Sequence, residues 1–226
     1  MAPTREHYLG LKNSCCYLHA TRDWGIVFWR KNALLDLPNI PLSPPADLAP
    51  PDGFPSYGLQ DLTGFVDAAH ANDPKTMRSV TGFGFSFAGG VVAYKTKLQP
   101  TVATSSTESE FIAAVLAAKT GKYLRSVLHE LGFAQTQPTV LYIDNKAAID
   151  MINVNRPTPR SRHIDIQYFA IQEWRASGLI LVRHIPGILN SADQATKALG
   201  WTLHARHARR LMGHFGPPVP TLYAHG

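Results

Sequence analysis

Between residues 60 and 215 the apolar positions fall into short runs and one long helical stripe. Residues 62–66 (LTGFV), 80–87 (VTGFGFSF) and 90–96 (GVVAYKT) are short and rich in β-branched and aromatic residues. With Asp73-Pro74 and Gly89-Gly90 as turn signals between them, they predict three hairpin-joined strands. The period then changes. Phe111-Ile112, Val115-Leu116, Tyr123-Leu124 and Val127-Leu128 recur at helical spacing and predict a long helix with a broad buried stripe. Ser105-Ser106-Thr107-Glu108 supplies its start, a capping box with Ser105 as cap and Glu108 three residues on. A strand at 140–143 (VLYI), one or two helices beginning near Lys146, a strand at 179–185 and a closing helix follow. Gly187 and Asn190 make the turn before that last helix, which Asp193 opens. Three antiparallel strands followed by βαβ-like units predict an α/β fold, a mixed five-stranded sheet with helices on both faces.

Outside this stretch the pattern weakens. Residues 1–31 predict a helix leading into a short strand. Residues 32–60 contain PNIPLSPPADLAPPDGFP, too rich in Pro for helix or central strand, and predict an extended linker. The folded domain is expected at 61–215 and a loose tail at 216–226 (GPPVPTLYAHG). Hydrophobic residues at 45% exclude a disordered chain. The longest uncharged run, from Thr81 to Tyr94, is broken by four glycines and is too short to cross a bilayer, so no membrane association is expected. Cys15 and Cys16 are adjacent and make no disulfide framework, which points to a reducing compartment; both read as buried small apolar residues. The net charge of +6 favours a polyanionic partner without requiring one.

Four carboxylates change the picture. Asp67 follows the first apolar strand, Glu110 lies in the first turns of the long helix, Asp144 follows VLYI, and Asp193 follows the HIPGILNSA turn. Acids at the ends of neighbouring strands in an α/β sheet point into the usual ligand crevice. A cluster of hard oxygens with no competing thiolate or imidazole suits divalent cations such as Mg²⁺. Glu108 is accounted for by capping, whereas Glu110 lies about 200° further round the helix and is free for chemistry.

These contexts together are specific. From Leu62 to Leu199 the chain resembles the ribonuclease H domain of copia-type LTR retrotransposon polyproteins, through VDAAHAND, RSVTGFGFSFAGGVVAYKTKLQPTVATSSTESEFIAA, LYIDNKAAI, SRHIDIQYFAIQEW and NSADQATKAL. Family members usually carry Trp where His70 stands and often Tyr where Phe111 stands, and the turn after His184 is closer to gypsy-type elements. The resemblance implies the ribonuclease H-like fold and Asp67, Glu110, Asp144 and Asp193 as metal-binding catalytic acids. It further implies two Mg²⁺ ions, with Mn²⁺ as a substitute, and hydrolysis of the RNA strand of an RNA–DNA hybrid. Asp67 would bridge the ions, Glu110 and Asp144 would serve the two sides, and Asp193 would complete the second ion's shell. Residues 1–31 resemble the C-terminal end of the reverse transcriptase in the same polyprotein. The Tyr-x-Asp-Asp motif of its polymerase is absent, so the chain as given is expected not to copy a template but to act beside a polymerase part. A cytoplasmic retrotransposon particle is the implied location, and no secretion signal is visible at the N-terminus.

Other residues admit two readings each. Ser105, Ser106 and Thr107 would touch the minor groove of a hybrid, and capping explains them equally well. Asn145, Arg160 and Arg162 are candidate nucleic-acid contacts, with a solvated loop as the bland account of the arginines. His184 is a candidate auxiliary group for catalysis. His204, His207 and His214 lie on an amphipathic helix with no acid or Cys to complete a metal site. The rival functional reading is an inactive or repurposed nucleic-acid-binding remnant of the same kind of polyprotein.

Overall fold

The computed structural model describes residues 4–22, 24–26, 28, 60–153 and 165–213. All but the last residue of the expected linker (32–60), the tail at 216–226, and Arg160, Arg162 and His214 lie outside the described residues. In chain order the elements are helix α1 (Arg5–Ala20), strands β1 (Thr63–Ala69), β2 (Val80–Phe87) and β3 (Gly90–Leu98), helix α2 (Ser106–Glu130), strand β4 (Thr139–Ile143), helices α3 (Lys146–Asn153) and α4 (Asp165–Ala176), strand β5 (Ile180–His184) and helix α5 (Trp201–Leu211). Two 3-10 turns, Gly187–Leu189 and Asp193–Ala195, fill the connection from β5 to α5.

The strands form one five-stranded sheet in the order β3-β2-β1-β4-β5. β1, β2 and β3 pair antiparallel, joined by the loop 70–79 and by a tight turn, whereas β4 and β5 join in parallel. The parallel connections pass through α2 and through α3 and α4, as a crossover requires. Side chains then alternate between two faces. Leu62, Val66, Phe83, Phe85, Leu141, Ile143 and Val182 join Phe111, Val115, Ile152 and Ile171 in the larger core, beneath α2, α3 and α4. Phe65, Tyr142 and Ile185 turn the other way and form a smaller core with Ala192 and Leu211 of the α5 side. The mixed sheet with helices on both faces is the architecture expected from the sequence.

Several local expectations need correction. β1 does not stop at Val66: after its parallel ladder with β4 ends at Val66–Ile143, the antiparallel ladder with β2 carries on through Asp67–Gly82 to Ala69–Val80. The β2–β3 turn is centred on Ala88 and Gly89, with φ of 53° and 83°, the left-handed pair that a tight hairpin needs. Gly90 already belongs to β3. Tyr123, placed on the buried stripe of α2, is 67% exposed. Its helix turns that position away from the sheet while Leu128 stays buried. Asp193 opens a 3-10 turn, and the last α-helix begins only at Trp201 after Gly200. Cys15 and Cys16 are exposed, because α1 meets the rest of the protein along a narrow line. Tyr17 Oη of α1 lies 3.3 Å from His204 Nε2, and beyond the helix the Trp24 and Trp201 rings are 6.3 Å apart between centroids. Among the described residues of the first 31, no strand is present.

Candidate active site

Asp67 and Asp144 reach one place because their strands are neighbours in register. Val66 pairs with Ile143, so each acid comes one residue beyond the end of the shared parallel ladder. Both occupy the parity of Phe65 and Tyr142. Glu110 comes from the other side of the sheet, on the first turns of α2. The helix start is fixed by Ser105, whose Oγ accepts from the Glu108 amide at 3.1 Å. The Glu108 carboxylate accepts from the Thr104 amide and hydroxyl at 2.7 and 2.6 Å, so the reciprocal half of the expected box falls on Thr104 rather than Ser105. Buried Gln99, which sequence reasoning missed, ties the helix to the sheet. Its Nε2 donates to Thr81 Oγ1 at 3.0 Å and to the Ser109 carbonyl at 2.9 Å.

The result is a trio. Asp67, Glu110 and Asp144 each offer a carboxylate oxygen, and these oxygens lie within 4.8 Å of one another. Asp67 and Glu110 are buried, and Asp144 is half-buried. Burial, followed by the fields of Asp67 and Asp144, pushes the Glu110 carboxyl up to about 9. Burial likewise raises Asp67 and Asp144; at Asp67 the Thr196 hydroxyl and Lys197 work against it. Glu110 Oε2 is buried without a hydrogen-bond partner. Three acids that cannot comfortably ionise together, one with an orphaned oxygen, could hold a divalent cation. The donors are all hard oxygens, so Mg²⁺ and Mn²⁺ fit the set.

Asp193 stands apart from the trio and is tied to it through a second residue. Lys197 Nζ lies 2.9 Å from Asp193 Oδ1 and 3.4 Å from Asp67 Oδ2. The Thr196 hydroxyl donates to the same Asp67 oxygen. The turn carrying these residues is clamped from several directions. Buried Asn190 donates from Nδ2 to the Val66 carbonyl at 2.8 Å, and Thr96 donates to the Ala195 carbonyl at 2.9 Å. Gly82 lets the turn lie flat on β2, since a Cβ there would sit 2.5 Å from Thr196 Cγ2 and 2.6 Å from Ala195 Cβ. Thr196 and Lys197 were not singled out from the sequence. The available signal was the i, i+4 spacing of Asp193 and Lys197.

The remaining candidates are placed as follows. Ser105 and Ser106 are exposed at the start of α2, and Thr107 is half-buried. Asn145 follows Asp144 directly, and its Oδ1 accepts from the Ala148 amide at 3.0 Å, which caps α3. His184 is exposed at the end of β5, level with Ile143 and one residue from Asp144. His207 is buried on α5, and burial holds its imidazole down at about 4.

No protein-family model matches the chain. Over 138 residues it is 38% identical to a retrovirus-related Pol polyprotein from transposon TNT 1-94 of Nicotiana tabacum, a match covering 61% of this chain and 10% of that protein. It is 27% identical over 209 residues to the Pol polyprotein from transposon RE1 of Arabidopsis thaliana, covering 92% of this chain and 12% of that one. The chain thus spans about a tenth of the length of these polyproteins. It is also 30% identical over 122 residues to the secreted RxLR effector protein 161 of Plasmopara viticola, covering 54% and 68% of the two chains. Similar solved structures include LC11-RNase H1 in complex with an RNA/DNA hybrid, at 11% identity and a TM-score of 0.46 over 60% of this chain and 94% of that one. Another is the prototype foamy virus protease-reverse transcriptase, at 13% identity and a TM-score of 0.44 over 63% and 21%.

Proposed function

We propose that this chain, which is similar to retrovirus-related Pol polyproteins of transposons and folds as the mixed five-stranded sheet expected of a ribonuclease H-like domain, is a metal-dependent endonuclease that hydrolyses the RNA strand of RNA–DNA hybrids. The observation that carries this reading is the trio of Asp67, Glu110 and Asp144 within 4.8 Å. A copia-type element is the source that the sequence motifs favour.

Asp67, Glu110 and Asp144 would hold two Mg²⁺ ions, with Asp193 completing the set and Mn²⁺ able to replace Mg²⁺. Bound there, the ions would lower the pKa of the attacking water and neutralise the departing 3′-oxygen. The protein's own part is to fix the acids before substrate arrives. Asp67 is held by Thr196 and Lys197, and Glu110 by the helix start that Gln99 and Ser105 anchor. Preorganised charge of this kind costs no rearrangement at the moment of reaction. Exposed Ser105 and Ser106, with Thr107 and Asn145, would meet a sugar–phosphate backbone, and Arg160 and Arg162 would add phosphate contacts. Selection of RNA would then come from 2′-hydroxyl contacts rather than base readout. Residues 1–31 would be the end of the reverse transcriptase portion, joined by a linker to the ribonuclease domain at 61–215, with the polymerase part as partner.

The test is cleavage of an RNA–DNA hybrid, an RNA duplex and a DNA duplex side by side in Mg²⁺. Cutting confined to the RNA of the hybrid is expected. Hybrid binding with no turnover would replace this reading with that of a nucleic-acid-binding remnant.

A further inference from the structure

Building on the metal reading just given, we propose that Lys197 is a built-in counter-cation of the acid site: its ammonium bridges Asp67 and Asp193 in the metal-free protein and must withdraw when a divalent cation enters, so that it sets the affinity for metal. The bridge is geometric. Nζ lies 2.9 Å from Asp193 Oδ1 and 3.4 Å from Asp67 Oδ2, two acids from elements far apart in sequence. Asp67 is 1% exposed and shares its surroundings with Glu110 and Asp144, so without a positive neighbour it would be a buried charge among like charges. Lys197 supplies that neighbour in cis.

The ammonium and an incoming cation compete for the same carboxylate oxygens. Thr196 already donates to Asp67 Oδ2, which leaves fewer lone pairs to share. Lysine suits a contact that must be given up. It is a compact charge on a flexible stem, without the two-pronged grip of a guanidinium. Its side chain is 44% exposed, so it can swing into water without crossing packed structure. Once withdrawn, it stays at the mouth of the site, where a phosphodiester would enter.

A plain structural strut behaves differently. Removing a strut lowers stability and also loosens the metal site. Removing a competing cation lowers the stability of the metal-free protein but tightens metal binding. The two effects then have opposite signs, which a purely structural role cannot produce.

The experiment is Mn²⁺ titration by calorimetry on the full chain, with melting temperatures measured in EDTA and in Mn²⁺, for wild type, K197M and K197R. K197M is expected to melt lower than wild type in EDTA yet bind Mn²⁺ more tightly, on the order of tenfold, the scale of losing one like charge a few ångströms away. K197R keeps the charge and adds a two-pronged grip, so it should bind Mn²⁺ no more tightly than wild type. Folded K197M that binds Mn²⁺ equally or more weakly than wild type overturns the proposal. Failure of both wild type and K197M to bind Mn²⁺ removes the metal reading itself, and this proposal with it. Should K197M not fold, wild type alone decides through lysine acetylation followed by mass spectrometry. Lys197 should become more reactive as Mn²⁺ saturates the site, and unchanged reactivity sinks the idea.

Discussion

On one side of the site Asp67, Glu110 and Asp144 face one another with one unpartnered oxygen among them, and burial holds Glu110 protonated up to about 9. On the other side Asp193 lies on a partly exposed turn with Lys197 as a partner four residues on. The first side leaves its electrostatic strain for an added cation to relieve. The second relieves it internally. Burial opposes the charge on Lys197, but the hydrogen bond to Asp193 and the fields of Asp67, Asp193 and Asp144 prevail and hold it above its ordinary value. The difference teaches that four acids alike in sequence need not contribute alike, and the two sides can be pulled apart by experiment.

The largest effect is expected on the strained side. Glu110→Gln keeps size and helix propensity but removes the carboxyl that would ionise against a bound cation. Hybrid cleavage should fall by at least ~10²-fold, as for loss of one preorganised electrostatic contact, with circular dichroism unchanged. Glu108→Gln, two residues away on the same helix, keeps an acceptor for Thr104 and should leave cleavage near wild type. The opposite ranking would mean that the acid on α2 has been misassigned.

Asp193→Asn should cost less, about tenfold, the lower end of what partners around a metal site contribute. Equal losses at Asp193 and Glu110 would erase the distinction between the two sides.

A pH dependence separates the sides without substrate. Glu110 has a folded-state value near 9 against 4.5 in an unfolded chain. Between those values the unfolded state gives up the proton and the folded state keeps it, so folding loses stability as pH rises through that window. Asp67 and Asp144, also raised, add in the same direction. The raised value of Lys197 has no such effect below pH 10, because the lysine is protonated in both states there. Buried His207, held down at about 4, works the other way up to its ordinary value of 6.5, so melting temperature in EDTA should decline between pH 7 and pH 8.5, and saturating Mg²⁺ should flatten the decline. A melting temperature that rises over that range in EDTA would mean the trio is not strained.

The smallest expected effect concerns the clamp on the turn. Gly82→Ala places a methyl group against Thr196 and Ala195 and should destabilise by about 1–3 kcal/mol, the usual cost of overpacking. Gly10→Ala, with nothing within 4 Å on an exposed helix, should be neutral or stabilising by about 0.5–1 kcal/mol. Chemical denaturation of both variants measures the contrast, and Gly82→Ala as harmless as Gly10→Ala would mean that the turn does not depend on its contact with β2.

The trio was legible in sequence because each acid has a local marker. Asp67 and Asp144 end apolar runs, and Glu110 follows a helix start signal. The mixed character of the sheet was legible for a similar reason, since hairpin turns precede helix-length crossovers. The contact of Thr196 and Lys197 with Asp67 was not, because it joins residues about 130 apart and follows only from how the turn is clamped. The extension of β1 past Asp67 was hidden too, since it is the partner strand β2 and not hydrophobicity that carries the ladder on to Ala69. The exposure of Cys15 and Cys16 could not be read from a helix whose neighbours are unknown. For Glu108, the motif identified the cap correctly but not the acceptor's partner, because Thr104 offers both an amide and a hydroxyl one residue before the expected position.

The central claim is that this acid site directs water at the phosphorus of RNA paired to DNA. The most direct measurement is end-group analysis of the products from a labelled hybrid cut in Mg²⁺. The account predicts 5′-phosphate and 3′-hydroxyl ends on the RNA fragments and an intact DNA strand. Fragments ending in 2′,3′-cyclic phosphate would contradict it, since those ends arise when the RNA's own 2′-hydroxyl is the nucleophile and need no metal-holding trio of carboxylates.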